Sequence, residues 1–377
     1  MMVRTEKIMQ GMSLLIKPSS GLCNMQCDYC FYCDESEKRE QASYGFMSEE
    51  TLKNVIRKSV LYAGAACSIA FQGGEPTLRG LPFFEKVVEY VNQYNKHGIA
   101  IQYALQTNGF DITEEWCEFF VRNKFLIGIS VDGLEETHNC YRHDHQGGNT
   151  YERVVKTTEM FDRYGVEYNI LTVVHSKTAA SIKQIYQDYK KRGWKYLQFI
   201  TCLDPLGEER GQKEYSLLPK AYGQFLIDLF DLWYEDWKNG QQPFIRQFDN
   251  YIGIICGYLP ESCEQRGTCG IQHVVEADGS VYPCDFYMLD EFRLGNLNKD
   301  TMKSIQEKRE EIGFVERSFD HSKECKECRW YQLCRGGCFR SRENEDNNYF
   351  CEGYKMFFDA CHERMEQIAR QITANQR

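Results

Sequence analysis

No stretch of this 377-residue chain approaches the ~20 consecutive apolar residues that a membrane helix needs, so the sequence offers no helical membrane span. A secretion signal is missing as well. The opening MMVRTEKIMQGMSLLIKPSS holds one short apolar patch and no small-residue cleavage site. Met12 is a candidate start, with residues 1–11 an upstream extension. Basic charge is in deficit: 45 Lys and Arg against 55 Asp and Glu leave a net charge of -10, which argues against nucleic acid as the main partner. The expected compartment is the cytoplasm, where structural disulfides are rare. Eighteen cysteines therefore need another explanation.

The hydrophobic content of 42% and charged content of 27% are those of an ordinary soluble protein. The length suits one large domain and a smaller one. From Ser13 to about Asn239, short β-rich runs alternate with amphipathic stretches. The strand candidates are SLLIKP (13–18), SIAFQG (68–73), IQYALQTNG (101–109), FLIGISVDG (125–133), EYNILTVVHS (167–176) and WKYLQFITCLD (194–204). Capping residues with acids behind them, as in Ser48-Glu49-Glu50 and Thr113-Glu114-Glu115, mark helix starts. This alternation predicts an α/β fold with a parallel sheet and right-handed crossovers. Six units fall short of the eight that close a barrel, so the expectation is a partial (β/α)6 barrel with an open side, over residues 12–241. After the long helix in LLPKAYGQFLIDLFDLWYEDWKNG the periodicity fades. Residues 242–377 read as a loop-rich domain with one hairpin, at HVVEADGSVYPC around Asp278-Gly279, and sustained helix only from about Glu352. So little regular core calls for a staple, and metal sites supply one.

The cysteines fall in two places. CNMQCDYC puts Cys23, Cys27 and Cys30 together, with Cys33 continuing the run. Three thiolates are an incomplete set for a tetrahedral metal, so either a fourth ligand comes from elsewhere or one position is left open. The second set, Cys263, Cys269, Cys284, Cys325, Cys328, Cys334, Cys338 and Cys351, provides eight thiols, enough for two four-thiolate sites. Spacing leaves zinc and iron–sulfur both open, and eight thiols allow many partitions. Cys33, Cys67, Cys117, Cys140, Cys202, Cys256 and Cys361 read mostly as small buried apolar residues, with Cys202 at the end of the sixth strand facing a candidate site. His138, His143 and His145 in HNCYRHDH read as loop residues rather than metal ligands.

CNMQCDYC after the first strand resembles the signature of radical S-adenosylmethionine (SAM) enzymes, and QGGEPTL after the second resembles their GGE motif. The downstream cysteines with CRGGC resemble the twin-cluster SPASM extension. Together with SLLIKPSSG, CDYCFY, LQTNG, SVDG, LQFITCLDPL, LFDLWYEDW, GSVYPCDFY and RLGNL, the chain resembles the anaerobic sulfatase-maturating enzymes over everything after Met12.

That resemblance implies three 4Fe–4S clusters. Cys23, Cys27 and Cys30 would hold the one that leaves an iron open for SAM, whose cleavage yields a 5′-deoxyadenosyl radical. Cys263, Cys269, Cys284 and Cys338 would hold one auxiliary cluster, and Cys325, Cys328, Cys334 and Cys351 the other. Tyr29, Gly73, Gly74, Glu75, Ser130, Arg142 and Leu203 would lie against SAM, with Gln106 and Asn108 weaker candidates. Asp285 would be the base that removes a thiol or hydroxyl proton while an electron passes towards an auxiliary cluster. The implied substrate is a sulfatase polypeptide bearing C/S-x-P/A-x-R, whose Cys or Ser becomes Cα-formylglycine without oxygen. The implied electron donor is a reduced protein of flavodoxin or ferredoxin type. Two alternatives remain at this stage: a maturase that uses the same machinery to crosslink peptides, and a zinc-stapled binding protein.

Overall fold

A computed structural model of the chain describes residues 11–342 and 347–375, so the upstream extension, apart from Gly11, lies outside the described residues. Twelve strands occur among them: β1 (Met12–Ile16), β2 (Met25–Cys27), β3 (Ala66–Phe71), β4 (Ala100–Thr107), β5 (Phe125–Ser130), β6 (Arg142–Asp144), β7 (Tyr168–Val174), β8 (Tyr196–Thr201), β9 (Phe244–Ile245), β10 (His273–Val275), β11 (Ser280–Tyr282) and β12 (Gly295–Asn296). All six predicted strands form. They pair in parallel in the order β1-β3-β4-β5-β7-β8, and the sheet does not close.

Side chains alternate across this sheet, as the two-residue repeat of a strand requires. In β3, Cys67, Ile69 and Phe71 are buried and their neighbours are only partly covered. The buried row packs under the crossover helices Glu49–Tyr62, Leu81–Tyr94, Glu114–Asn123, Tyr151–Tyr164 and Ile182–Arg192 in the main core. Ser48 starts the first of these by accepting a hydrogen bond from the Thr51 amide, whereas Thr113 makes no such side-chain contact. The opposite row faces the concave side. There Leu15, Val274, Tyr32, Tyr282 and Met288 form a second, small core.

The sheet continues into the C-terminal region. β10 lies parallel to β1 on its free side (Leu14 opposite His273, Ile16 opposite Val275), and β11 and β12 follow antiparallel. The hairpin turns at Asp278-Gly279 as predicted. The expectation that helical structure returns only near Glu352 is corrected by two helices, Arg246–Ile255 and Met302–Ile312. The second has few apolar residues to show a period, but a capping box between Thr301 and Ser304 starts it. The long helix Pro219–Lys238 packs on the final helix Cys351–Asn375, and the two backbones touch where Gly223 meets Gly353.

Candidate functional site

The loop after β1 carries the first three cysteines, and a two-stranded ribbon holds it. β2 pairs antiparallel with β6, which sets Cys27 opposite Arg142 and Gln26 opposite His143. The Cys23 carbonyl meets His145 Nε2 at 2.7 Å. Asn108, just past the end of β4, points its Nδ2 at Cys23 Sγ at 3.7 Å, and Arg142 Nη1 reaches Cys27 Sγ at 3.8 Å. Burial pushes the Cys23 thiol up to about 11 and Cys27 to about 12. The exposed Cys33 lies beside Cys30, and their interaction lowers the Cys30 thiol while raising its own.

Asp132, in SVDG, anchors two of the residues assigned to SAM. It is fully buried and accepts from Arg142 Nε at 2.7 Å and from the Tyr29 hydroxyl. Burial alone would raise its carboxyl, but Arg142, His175 and His138 outweigh that and hold it below the usual carboxylate range. Arg142 also lies 5.5 Å over the Tyr29 ring. Ser130 ends β5, and Leu203 follows β8 at the same end of the sheet.

The glycines of the GGE turn make room for the protein's own chain. Gly73 (φ +99°) and Gly74 (φ +52°) occupy the left-handed region. A Cβ on Gly73 would sit 2.8 Å from the Lys17 side chain, and one on Gly74 would lie 2.2 Å from the Leu22 carbonyl. Glu75 is buried, and its carboxylate accepts from Thr77 Oγ1 (2.7 Å), Thr107 Oγ1 (2.9 Å), the Asn108 amide (2.8 Å) and the Thr77 amide (3.1 Å). It ties the ends of β3 and β4 together.

Lys17, one residue beyond β1, runs through the space beside Gly73 to Asp285. Its Nζ lies 2.5 Å from Asp285 Oδ1, and Gln72 Nε2 donates to Oδ2 at 2.9 Å. The same Nζ sits 4.2 Å over the Tyr32 ring. Lys17 has no exposed surface. Beside this group stands Glu35, a buried carboxyl raised to about 8 by burial and then by the charge of Asp285. Among the described residues its Oε2 has no hydrogen-bond partner.

The eight later cysteines separate into two neighbourhoods. Burial raises the Cys284 thiol well above its ordinary value, and Cys338, Cys269 and Cys263 are the thiols that add to it. Cys325, Cys328, Cys334 and Cys351 instead line one small cavity of about 20 Å³, with Trp330, Tyr354 and Lys355 around its wall. Among the described residues no group of three or more His, Cys, Asp or Glu side chains is gathered tightly enough for a single metal ion. A ring of four thiols around a void fits a larger inorganic group. The CRGGC turn has Arg335, Gly336 and Gly337 all at positive φ, and it presses so closely on Gly267 that a Cβ there would lie 1.8 Å from the Arg335 carbonyl.

Of the other cysteines, Cys67, Cys117, Cys202 and Cys361 are buried as expected, while Cys140 and Cys256 are half-buried. Sequence reasoning passed over Lys17, Gln72, Asp132 and Glu35. The signal was present for three of them, since SLLIKP, AFQGG and SVDG each place a polar residue just past a strand end.

Comparison with known proteins bears on this arrangement. Residues 18–189 match the radical SAM superfamily, and residues 267–329 match the SPASM iron–sulfur cluster-binding domain. A cysteine-type anaerobic sulfatase-maturating enzyme of Clostridium perfringens is 47% identical over 97% of this chain and all of its own length. A serine-type counterpart from Bacteroides thetaiotaomicron is 28% identical over 96% of this chain and 92% of its own. A solved structure, native anSMEcpe with bound AdoMet and a Cp18Cys peptide, superposes with a TM-score of 0.92 at 46% identity, covering 96% of this chain and all of that one.

Proposed function

The chain belongs to the anaerobic sulfatase-maturating enzymes of the radical SAM superfamily, and from that premise we propose that it oxidises one cysteine of a sulfatase polypeptide to Cα-formylglycine without oxygen. The preference for cysteine over serine follows the higher identity to the cysteine-type relative, 47% against 28%. The substrate is an extended segment bearing C/S-x-P/A-x-R that enters through the open side of the barrel. The electron donor is a reduced flavodoxin- or ferredoxin-type protein.

The observation that carries this reading is the setting of Asp285. It follows Cys284 directly, and Lys17 and Gln72 hold one carboxylate oxygen each at the ends of β1 and β3. The chain from Lys17 leads on to Leu22, packed on Gly74, and to Cys23, touched by Asn108. One strand end thus brings the base and the first cysteine loop into the same neighbourhood.

Cys23, Cys27 and Cys30 hold the SAM-binding cluster. Cys263, Cys269, Cys284 and Cys338 hold one auxiliary cluster, and Cys325, Cys328, Cys334 and Cys351 the other. When bound, the first cluster and SAM would supply the one-electron radical chemistry that removes hydrogen from the target Cβ. Asp285 accepts the proton of the substrate thiol, with its carboxylate aimed by Lys17 and Gln72, and the one electron that remains would pass to the auxiliary cluster that Cys284 would hold, leaving a thioaldehyde. Tyr29 and Arg142, pinned by Asp132, line the SAM site with Gly73, Gly74, Glu75, Ser130 and Leu203. Water then replaces sulfur with oxygen, and sulfide leaves.

The test is mass spectrometry after anaerobic incubation of the iron-loaded protein with SAM, reductant and a peptide containing C-T-P-S-R. The expected result is conversion of CH2SH to CHO together with 5′-deoxyadenosine. Deoxyadenosine without a change in the peptide would reject this substrate, and a crosslinked product would favour the crosslinking maturase.

A further inference from the structure

The two sets of four cysteines are carried on different segments, and one buried side chain is hydrogen-bonded to segments of both. Arg342, shortly after Cys338, is only 7% exposed. Its Nη1 donates to the Asp320 carbonyl at 2.8 Å, and its Nη2 to the carbonyls of Ser318 at 2.9 Å and Gly267 at 3.2 Å. These acceptors lie on the segments that carry both sets. Gly267 precedes Cys269 closely in the chain, and Ser318 Oγ accepts from the Cys269 amide at 2.8 Å. Asp320 leads to Ser322, which caps the helix Lys323–Glu327 at the Cys325 amide.

None of the three acceptors carries a charge. Among the described residues no carboxylate pairs with Arg342, and its Nε has no hydrogen-bond partner. A buried cation without a counter-charge is costly. Cysteines of both sets lie near enough to act on its charge. Burial lowers its pKa, while Cys269 and Cys338 of one set and Cys325 of the other raise it.

We propose that Arg342 is a positioning residue shared by the two auxiliary iron–sulfur sites, a fixed cation that raises the reduction potential of both and ties the loops that hold them. A reduced cluster carries one more negative charge than its oxidised form, so a nearby cation favours reduction. The inference rests on the assignment of the eight cysteines to two clusters.

The experiment is an EPR-monitored redox titration of the reconstituted full-length protein beside Arg342→Gln and Arg342→Lys, with iron and sulfide measured for each. Signals unmoved by added SAM report the auxiliary sites. In Arg342→Gln, the reduced-to-oxidised ratio of both signals at a fixed potential should fall about tenfold or more, ~59 mV for a one-electron couple. Arg342→Lys should keep its iron and hold both ratios near those of the parent. Loss of iron from the Gln variant alone, with the Lys variant normal, agrees with the proposal. It is overturned if Arg342→Gln loads fully with either signal unmoved, if Arg342→Lys shifts as far as Gln, or if both variants lose iron. A parent protein that binds less iron than three clusters require would instead overturn the cluster assignment.

Discussion

Lys17 and Asp285 meet as an ion pair, Nζ to Oδ1 at 2.5 Å, between the end of the first barrel strand and the turn after Cys284. The lysine side chain is wholly buried and the aspartate side chain 12% exposed, so water does little to replace the contact if it is lost. Asp285→Asn should cut formylglycine formation by about 10²–10⁴-fold, the usual worth of a positioned base. Lys17→Met should cut it by about 10–100-fold, the worth of one close contact between buried opposite charges, because Gln72 still holds Oδ2. Gly73→Ala should resemble Lys17→Met, since its Cβ would displace that side chain. The ratio of formylglycine to deoxyadenosine checks all three, and a fall in both products together would point to damage at the SAM site instead.

The two cysteine neighbourhoods predict how iron is lost. Cys284→Ala and Cys351→Ala should each remove about one cluster of iron. Adding Cys338→Ala to the first, or Cys328→Ala to the second, should remove no more. Combining Cys284→Ala with Cys351→Ala should remove two. Iron and sulfide analysis on reconstituted protein decides the matter, and a different pattern of additivity would redraw the partition.

His138 makes stability sensitive to acid. The Asp132 amide donates to its Nδ1 at 3.2 Å, and its Nε2 meets Thr150 Oγ1 at 3.1 Å, an arrangement suited to the neutral ring. Burial, and then the charge of Arg142, depresses its pKa from 6.5 to about 3. Between those values the unfolded chain binds more protons than the folded one. This contribution is therefore fully present above pH 6.5 and is lost as the pH falls towards 3. Urea midpoints at pH 7, 6 and 5 should decline more steeply in the parent than in His138→Gln, with a difference approaching about 1.4 kcal/mol per pH unit. Parallel curves would show that the ring contributes nothing to acid sensitivity.

The contact between the helices Pro219–Lys238 and Cys351–Asn375 needs both of its glycines. A Cβ on Gly353 would lie 2.3 Å from the Pro219 carbonyl, and one on Gly223 would lie 2.8 Å from Gly353 Cα. Both obstacles are backbone, so side-chain rotation cannot relieve them. Either glycine-to-alanine change should cost about 1–3 kcal/mol, despite alanine's better helix propensity. Thermal denaturation would register this, and an unchanged or raised Tm would mean that the helices can separate without loss.

The parallel barrel strands were legible because each is a run of β-branched and aromatic residues between capped amphipathic stretches, as ACSIAF and FLIGIS show. The cysteine sets were legible because their spacings survive in one dimension. β10 was only half visible. Its pairing with β11 follows from the Asp278-Gly279 turn, but nothing local in HVV announces a parallel partner at the far end of the chain. Helix Arg246–Ile255 was passed over among glycines and cysteines, and Met302–Ile312 buries too few side chains to leave a period. Lys17 and Asp132 sat in quoted motifs without a role, because a buried charge is recognised by its partner, and their partners Asp285 and Arg142 are set by the fold.

The position of β1 between β3 and β10 also bears on synthesis. During translation β1 can find β3 early, but its other edge has no neighbour until His273–Val275 has left the ribosome. Until then the nascent barrel presents a strand with unanswered amides and carbonyls, a template for aggregation. Closing that edge requires contacts of very long sequence separation, which form slowly. A chain cut short before β10 would lack Asp285, the partner of Lys17, and would also keep a permanently adhesive border.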